Sequence, residues 1–253
     1  MALFIDGPAS SIEDLQGHDT QLTDVANVEG IDVTRKLALA QEEISLELTA
    51  LLDRLKGPQS RLTMMGPGIG QVVVTPPLKL WHTFRSLELV YRDAYNSQLN
   101  DRYAGRRDEY HELAKWAYEK LIQNGIGVAQ DPIPQAAGPI LTAAPGVLAD
   151  GTYYVAVSWT NQAGEEGASS RPVTITTASC TFAVRPASAP SNAAGWNVYA
   201  GVSPTGLVLQ NTSPVALDGT WTQQTALVMV GTAASAGQAP NYMRPAPQIL
   251  QRG

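Results

Sequence analysis

Charge runs along this chain in a step, and the step limits what it can fold into. Residues 1–135 hold 32 of the 40 Asp, Glu, Lys and Arg side chains, and residues 136–253 hold 8. All five lysines, Lys36, Lys56, Lys79, Lys115 and Lys120, lie before the step. The first part carries the whole net charge of -6, and the second is neutral. A chain of 253 residues has room for two modest domains. The step therefore predicts two different folds joined in one chain. The seam is Asp131-Pro-Ile-Pro-Gln-Ala-Ala-Gly-Pro139, whose prolines stop a helix and predict a stiff linker.

The first part has helical periodicity. Asp32 is placed to cap a helix running to Leu55, with Leu37, Ile44, Leu48, Leu51 and Leu55 on one face. A second helix is expected after Pro76-Pro77, with a stripe of Leu80, Phe84, Leu87, Tyr91 and Ala94, ending near Asn100. A third starts near Arg106, carries Tyr110, Leu113, Ala117 and Leu121, and stops at Asn124-Gly125. Ser10-Ser11-Ile12-Glu13-Asp14 reads as a capping box for a short helix, and 20–28 as another. Together these predict a small bundle.

The second part alternates. Tyr153, Val155, Val157 and Trp159 interleave with Tyr154, Ala156, Ser158 and Thr160, the period of a half-buried strand. Further strands are expected over 172–177, 181–185, 196–200, 207–211 and 221–225. About seven short strands predict an immunoglobulin-like or fibronectin-like sandwich. The expected class is α+β in two segregated domains: a helical bundle over 1–135, a β-sandwich over 136–231, and an extended arm over 232–253.

Catalytic patterns are weak. His111-Glu112 begins like a zinc-protease helix, but Lys115 stands where the second histidine belongs. His82 reads as a packed residue, and Cys180, the single cysteine, as an inert thiol in a strand. Met65-Gly-Pro-Gly-Ile-Gly70 lacks the Lys-Ser/Thr pair of a phosphate loop. No metal, cofactor or catalytic step is expected. The net negative charge argues against a protein that clamps nucleic acid through phosphates. No apolar run is long enough to span a bilayer, and the start, Met-Ala-Leu-Phe-Ile-Asp6, does not read as a secretory signal.

Contact features are more plentiful. The connection 57–75, with Met64, Met65 and Ile69, is long for a link between packed helices and reads as a contact loop. Trp81, Tyr95, Tyr103 and Trp116 exceed what three short helices bury. Arg102, Arg106 and Arg107 form a basic cluster around Tyr103, which reads either as a phosphate site or, because Asp101, Asp108 and Glu109 cancel its field, at least as well as ion pairing between subunits. In the arm, Tyr242, Met243, Ile249 and Leu250 are anchors for a groove on a neighbour, with Arg244 and Arg252 beside them. On this reading truncation after Ala236 weakens assembly and leaves monomer melting nearly unchanged.

Several stretches resemble the head-to-tail adaptor, or head-completion, proteins of tailed bacteriophages. They are Ile31-Asp-Val-Thr-Arg-Lys-Leu37, Leu78-Lys-Leu-Trp-His-Thr-Phe84, Val90-Tyr-Arg-Asp-Ala-Tyr-Asn-Ser-Gln-Leu-Asn-Asp-Arg-Tyr103 and Glu109-Tyr-His-Glu-Leu-Ala-Lys-Trp116, leading to Asn124-Gly-Ile-Gly-Val128. Tyr154-Val-Ala-Val-Ser-Trp-Thr160 and Gly195-Trp-Asn-Val-Tyr-Ala-Gly201 look like fibronectin-type modules appended to phage structural proteins. The resemblance implies a virion protein of the head–tail neck. It would form a homo-oligomeric ring, typically twelve-fold, bound to the portal protein and to tail or neck proteins, with DNA passing through its channel unbound. Two other readings stand beside it. A sugar-binding or adhesion module would use Trp159, Trp196, Tyr199 and Trp221 as stacking platforms. A cell-wall hydrolase would need a carboxylate pair such as Glu42-Glu43 or Asp108-Glu109.

Overall fold

A computed structural model of the chain describes residues 1–55, 66–98 and 101–244. The chain is α+β: its N-terminal half is helical and its C-terminal half is antiparallel sheet. It divides into two compact units, Met1–Asp6 with Gln130–Ala239, and Gly7–Ala129 with the stretch that follows from Pro240. Met1–Asp6 and residues 240–244 thus each belong to the unit made mainly by the other half of the sequence.

Among the described residues the helical unit has five helices: α1 (Ile12–His18), α2 (Leu22–Glu29), α3 (Val33–Leu55), α4 (Pro76–Gln98) and α5 (Ala104–Asn124). α1 starts at the expected capping box, with Ser11 and Asp14 each accepting from the other's backbone N–H. The Asp32 carboxylate accepts from Arg35 N–H at 3.1 Å at the start of α3. α5 stops at Gly125, whose φ of 98° lies in the left-handed range glycine tolerates.

α4 departs from the expected single stripe. From Trp81 to Tyr91 only Arg85 is not buried, and Leu80, expected on the stripe, is half-buried. The helix is central, flanked by α1, α2, α3 and α5, so its polar side chains must find partners inside. His82 is fully buried; its Nδ1 lies 2.6 Å from Ser10 Oγ and its Nε2 lies 3.1 Å from the Leu37 carbonyl. The carbonyl can only accept, so Nε2 carries the proton and the Ser10 hydroxyl donates to Nδ1.

Burial pushes the His82 pKa down to about 4, against the opposing pull of the Leu37 carbonyl. The unfolded imidazole titrates near 6.5, so the unfolded chain binds more protons between the two values. Stability from this group is full above about pH 6.5 and is lost as the pH falls through about 4. His82→Gln is expected to flatten the acid limb of a stability–pH curve by about 3 kcal/mol between pH 7 and 4. Urea melts across that range check it.

The β unit holds two antiparallel sheets. β2 (Ile140–Ala144), β5 (Thr181–Arg185) and β8 (Trp221–Thr222) form one, ordered β2-β5-β8. β3 (Gly151–Asn161), β4 (Val173–Thr177), β6 (Ala193–Gly201) and β7 (Val208–Leu209) form the other, ordered β4-β3-β6-β7. Tyr153, Val155, Val157 and Trp159 of β3 meet Phe182 and Val184 of β5 and Trp196, Val198 and Ala200 of β6 in one core. The alternation read from the sequence is thus the inward face of a central strand. Its other face is also buried: Tyr199 donates to Glu166 at 2.5 Å, and Ser158 donates to the same carboxylate.

Two expectations fail here. Residues 131–139 are not a free linker, because Ile133 and Ala136 lie in the β core. Proline holds the stretch extended, and an extended chain can lay two apolar side chains into a core at little entropic cost. Residues 232–239 are likewise part of the β unit. Leu209 N–H donates to the Thr232 carbonyl at 2.9 Å, and Ser169 N–H to the Ser235 carbonyl at 3.0 Å. Past Pro240 the chain forms β9 (Asn241–Met243), antiparallel to β1 (Ile126–Val128) of the helical unit. Leu3 and Phe4 are buried in the β unit, and the Met1 amine donates to the Gln238 carbonyl at 2.9 Å.

A candidate interaction groove on the helical unit

α3, α4 and α5 each bring polar side chains to one open groove of about 560 Å³. Its floor is apolar: Ile44 from α3, Trp81 from α4, Ala114 and Tyr118 from α5. The Trp81 and Tyr118 rings meet edge-on at 5.0 Å. On the rim Leu46 is 74% exposed, a large apolar side chain beside an apolar floor.

One chain of charges along the wall of the groove ties the three helices together. Arg85 Nε donates to Glu43 at 2.6 Å and Arg85 Nη1 donates to Glu88 at 2.5 Å. Glu88, itself buried, reaches His111 Nδ1 at 3.1 Å with its other oxygen. Burial alone works against the Arg85 charge, and the hydrogen bonds to Glu43 and Glu88 outweigh it, so the guanidinium stays protonated above its ordinary value. Glu43, offered as half of a hydrolase pair, is thus spent on an ion pair. Glu42 is exposed beside it. Asp108 and Glu109 are likewise paired, with Arg107 at 2.7 Å and Arg106 at 3.0 Å.

The basic cluster has a different geometry from the one expected. Arg107 pairs within its own chain and lies 4.6 Å over the Tyr95 ring. Arg102 lies 4.5 Å over the Tyr103 ring and donates to its hydroxyl. Tyr103 is buried and donates to Glu29 at 2.9 Å. These contacts are internal to the chain. Arg102, Tyr103 and Arg106 also line a second hollow of about 410 Å³ with Gln21, Asp24, Val25, Val28 and Tyr91. Arg106 there is paired with Glu109 at 3.0 Å and Asp24 shares the hollow with Arg102, which leaves little net field for an anion.

The remaining expected contact residues are scattered. Trp81 is buried in the groove floor, and Trp116 on α5 is 45% exposed. Ile69 is half-buried in a single 3-10 turn. Met64, Met65, Ile249 and Leu250 lie outside the described residues. Tyr242 is half exposed, and Met243 pairs with Ile126 in the β1–β9 ladder. The arm's anchors therefore bind, in part, a strand of their own chain. Leu46 was missed, although the signal was present: with Leu39 it forms an apolar pair seven residues apart, off the buried stripe of α3.

In the β unit, Trp159, Trp196 and Tyr199 are buried and Trp221 is half-buried, so the first three present no face for a sugar. Among the described residues no cluster of three or more His, Cys, Asp or Glu is placed to hold a metal. No described helix is long and apolar enough to cross a membrane. No protein-family model matches the chain, and no curated protein matches it.

Proposed function

We propose that this chain is a structural adaptor of a tailed-phage neck, a non-enzymatic virion protein. Its helical units assemble into a ring, twelve-fold by the resemblance, that binds the portal protein and tail or neck proteins and encloses the DNA channel. The β unit on this reading is an immunoglobulin- or fibronectin-like module. Support for the module comes from three- and four-stranded antiparallel sheets facing one aromatic core.

The groove between α3, α4 and α5 carries the reading. Arg85, Glu43, Glu88 and His111 are held in one paired chain, and the apolar floor beside them continues onto an exposed leucine. Such a surface suits a neighbouring subunit better than a polar substrate, since contiguous exposed apolar area marks interaction sites. A net acidic helical part also suits a channel through which DNA slides, because its summed charge repels phosphates rather than holding them.

Leu46→Asp places a carboxylate on this rim. It is expected to change monomer stability by less than about 0.5 kcal/mol, as exposed substitutions do. Assembly should weaken at least about tenfold. Sedimentation of wild type and variant checks both. Equal assembly by the two would remove the groove from the interface.

A further inference from the structure

β4 is the outermost strand of the four-stranded sheet. Its inner side pairs with β3 in unbroken register, from Val155↔Val173 to Gly151↔Thr177. Among the described residues its outer side makes no backbone hydrogen bond. The opposite edge of the same sheet is treated differently. There residues 232–234 cover β7, with Leu209 N–H donating to the Thr232 carbonyl and Val208 bridging Ala233. On the β4 side the same cover reaches only the residues before the strand, where Ala168 bridges Ala236 and Ser169 N–H donates to the Ser235 carbonyl, so among the described residues the β4 stretch itself is left open.

Open edges in soluble proteins are usually blunted by lysine, proline, an inward charge or a bulge. β4 reads Val-Thr-Ile-Thr-Thr and has none of these within it. Arg171 and Pro172 precede the strand, and Ser179, at a φ of 54°, follows it, so they frame the edge without interrupting it. A row of free N–H and C=O groups is complemented only by another extended strand.

We infer that β4 is an association edge on which a second copy of this chain adds its own β4, antiparallel, extending the sheet from four strands to eight. The strand's alternation is self-complementary. With two copies centred on Ile175, Ile175 meets its counterpart, Thr174 meets Thr176 and Val173 meets Thr177. Antiparallel pairing keeps parity, so exposed Thr174 and Thr176 share one face and the more buried Val173, Ile175 and Thr177 share the other. Thr–Thr pairs are favourable across strands, and no charge opposes a like charge. Such a contact is two-fold and isologous, closing on itself after one partner. β2 packs beside β4 and exposes Ile140, which adds apolar area at the rim.

Five residues of ladder make a weak contact, filled at micromolar concentrations and strengthened where other contacts already hold copies together. The inference does not depend on the adaptor reading, and its test is made in full-length Leu46→Asp, where groove-mediated assembly is removed. Amide hydrogen exchange over residues 173–177 is measured at roughly 1 and 100 μM chain, bracketing a micromolar contact. The expected result is at least about tenfold slower exchange at the higher concentration for amides on the outer edge, lost in Thr174→Lys and in Thr176→Lys. Thr174→Lys is the cleaner variant, because Thr176 Oγ1 also lies 3.2 Å from Thr152 Oγ1. Exchange independent of concentration, or protection that survives Thr174→Lys, would overturn the inference.

Discussion

Asp19→Ala is expected to destabilise the helical unit by about 4 kcal/mol, because it strands two buried hydroxyls at once. Asp19 is 4% exposed at the end of α1, and its carboxylate accepts from Tyr91 at 2.5 Å, Tyr110 at 3.0 Å and Gln21 N–H at 2.9 Å. The two rings stack 5.5 Å apart between α4 and α5. Burial first, and the Asp19 carboxylate second, hold both phenols protonated well above their ordinary range, so they remain donors at any working pH. Alanine leaves these donors dry and without an acceptor. Asp19→Asn keeps one acceptor oxygen and should cost about half as much. Denaturant melts of the two variants measure the difference. An alanine variant that melts like wild type would show that water enters and replaces the carboxylate.

Gln238→Ala is expected to cost the β unit about 3 kcal/mol, a fall in Tm of roughly 10 °C or more. Gln238 is 3% exposed. Its Oε1 accepts from Ile133 N–H at 2.7 Å, and its Nε2 donates to the Asp131 carbonyl and to Glu165, each at 2.8 Å. One side chain thus fastens the proline-rich seam to the β core, and alanine leaves the buried Ile133 N–H unpaired, while the Asp131 carbonyl keeps only its bond from Asn161 Nδ2 at 3.1 Å. Truncation after Ala236 removes the same side chain together with β9, so it should lower the melting temperature of the monomer. A merely loose tail would leave melting unchanged. Calorimetry of the point variant and the truncation separates the two.

The helices were legible because their causes are local: a capping serine at α1 and aspartate at α3, prolines opening α4, repeats of three and four, and a glycine closing α2 and α5. β3 and β6 were legible for the same reason, since alternation is local. What was not legible depends on residues far apart in the chain. β1 and β9 are three residues each and exist because 126–128 pair with 241–243. Nothing within either triplet announces that partner. Leu3 and Phe4 drew notice only as part of a possible leader, yet they are core residues of the β unit. The seam looked like a linker because proline and glycine mark linkers on average, and the burial of Ile133 is a tertiary fact that overrides the average.

Polar residues show the same limit. Glu88 sits on the central helix α4, and its use as the hub between Arg85 and His111 follows from three helices meeting there. The arginine cluster and its neighbouring acids were visible, but which acid each arginine meets, Arg106 with Glu109 and Arg107 with Asp108, follows from side-chain geometry on α5. A groove can be read from sequence only through what it leaves unexplained, which here was Leu46.

The adaptor reading is tested most directly by electron microscopy of the purified full-length chain, alone and mixed with a portal protein, together with the mass of the particles. The account predicts closed rings of about twelve 27.0 kDa chains, formed by wild type and lost in Leu46→Asp. Particles that stay at the mass of a single chain, with or without the portal protein, would contradict it.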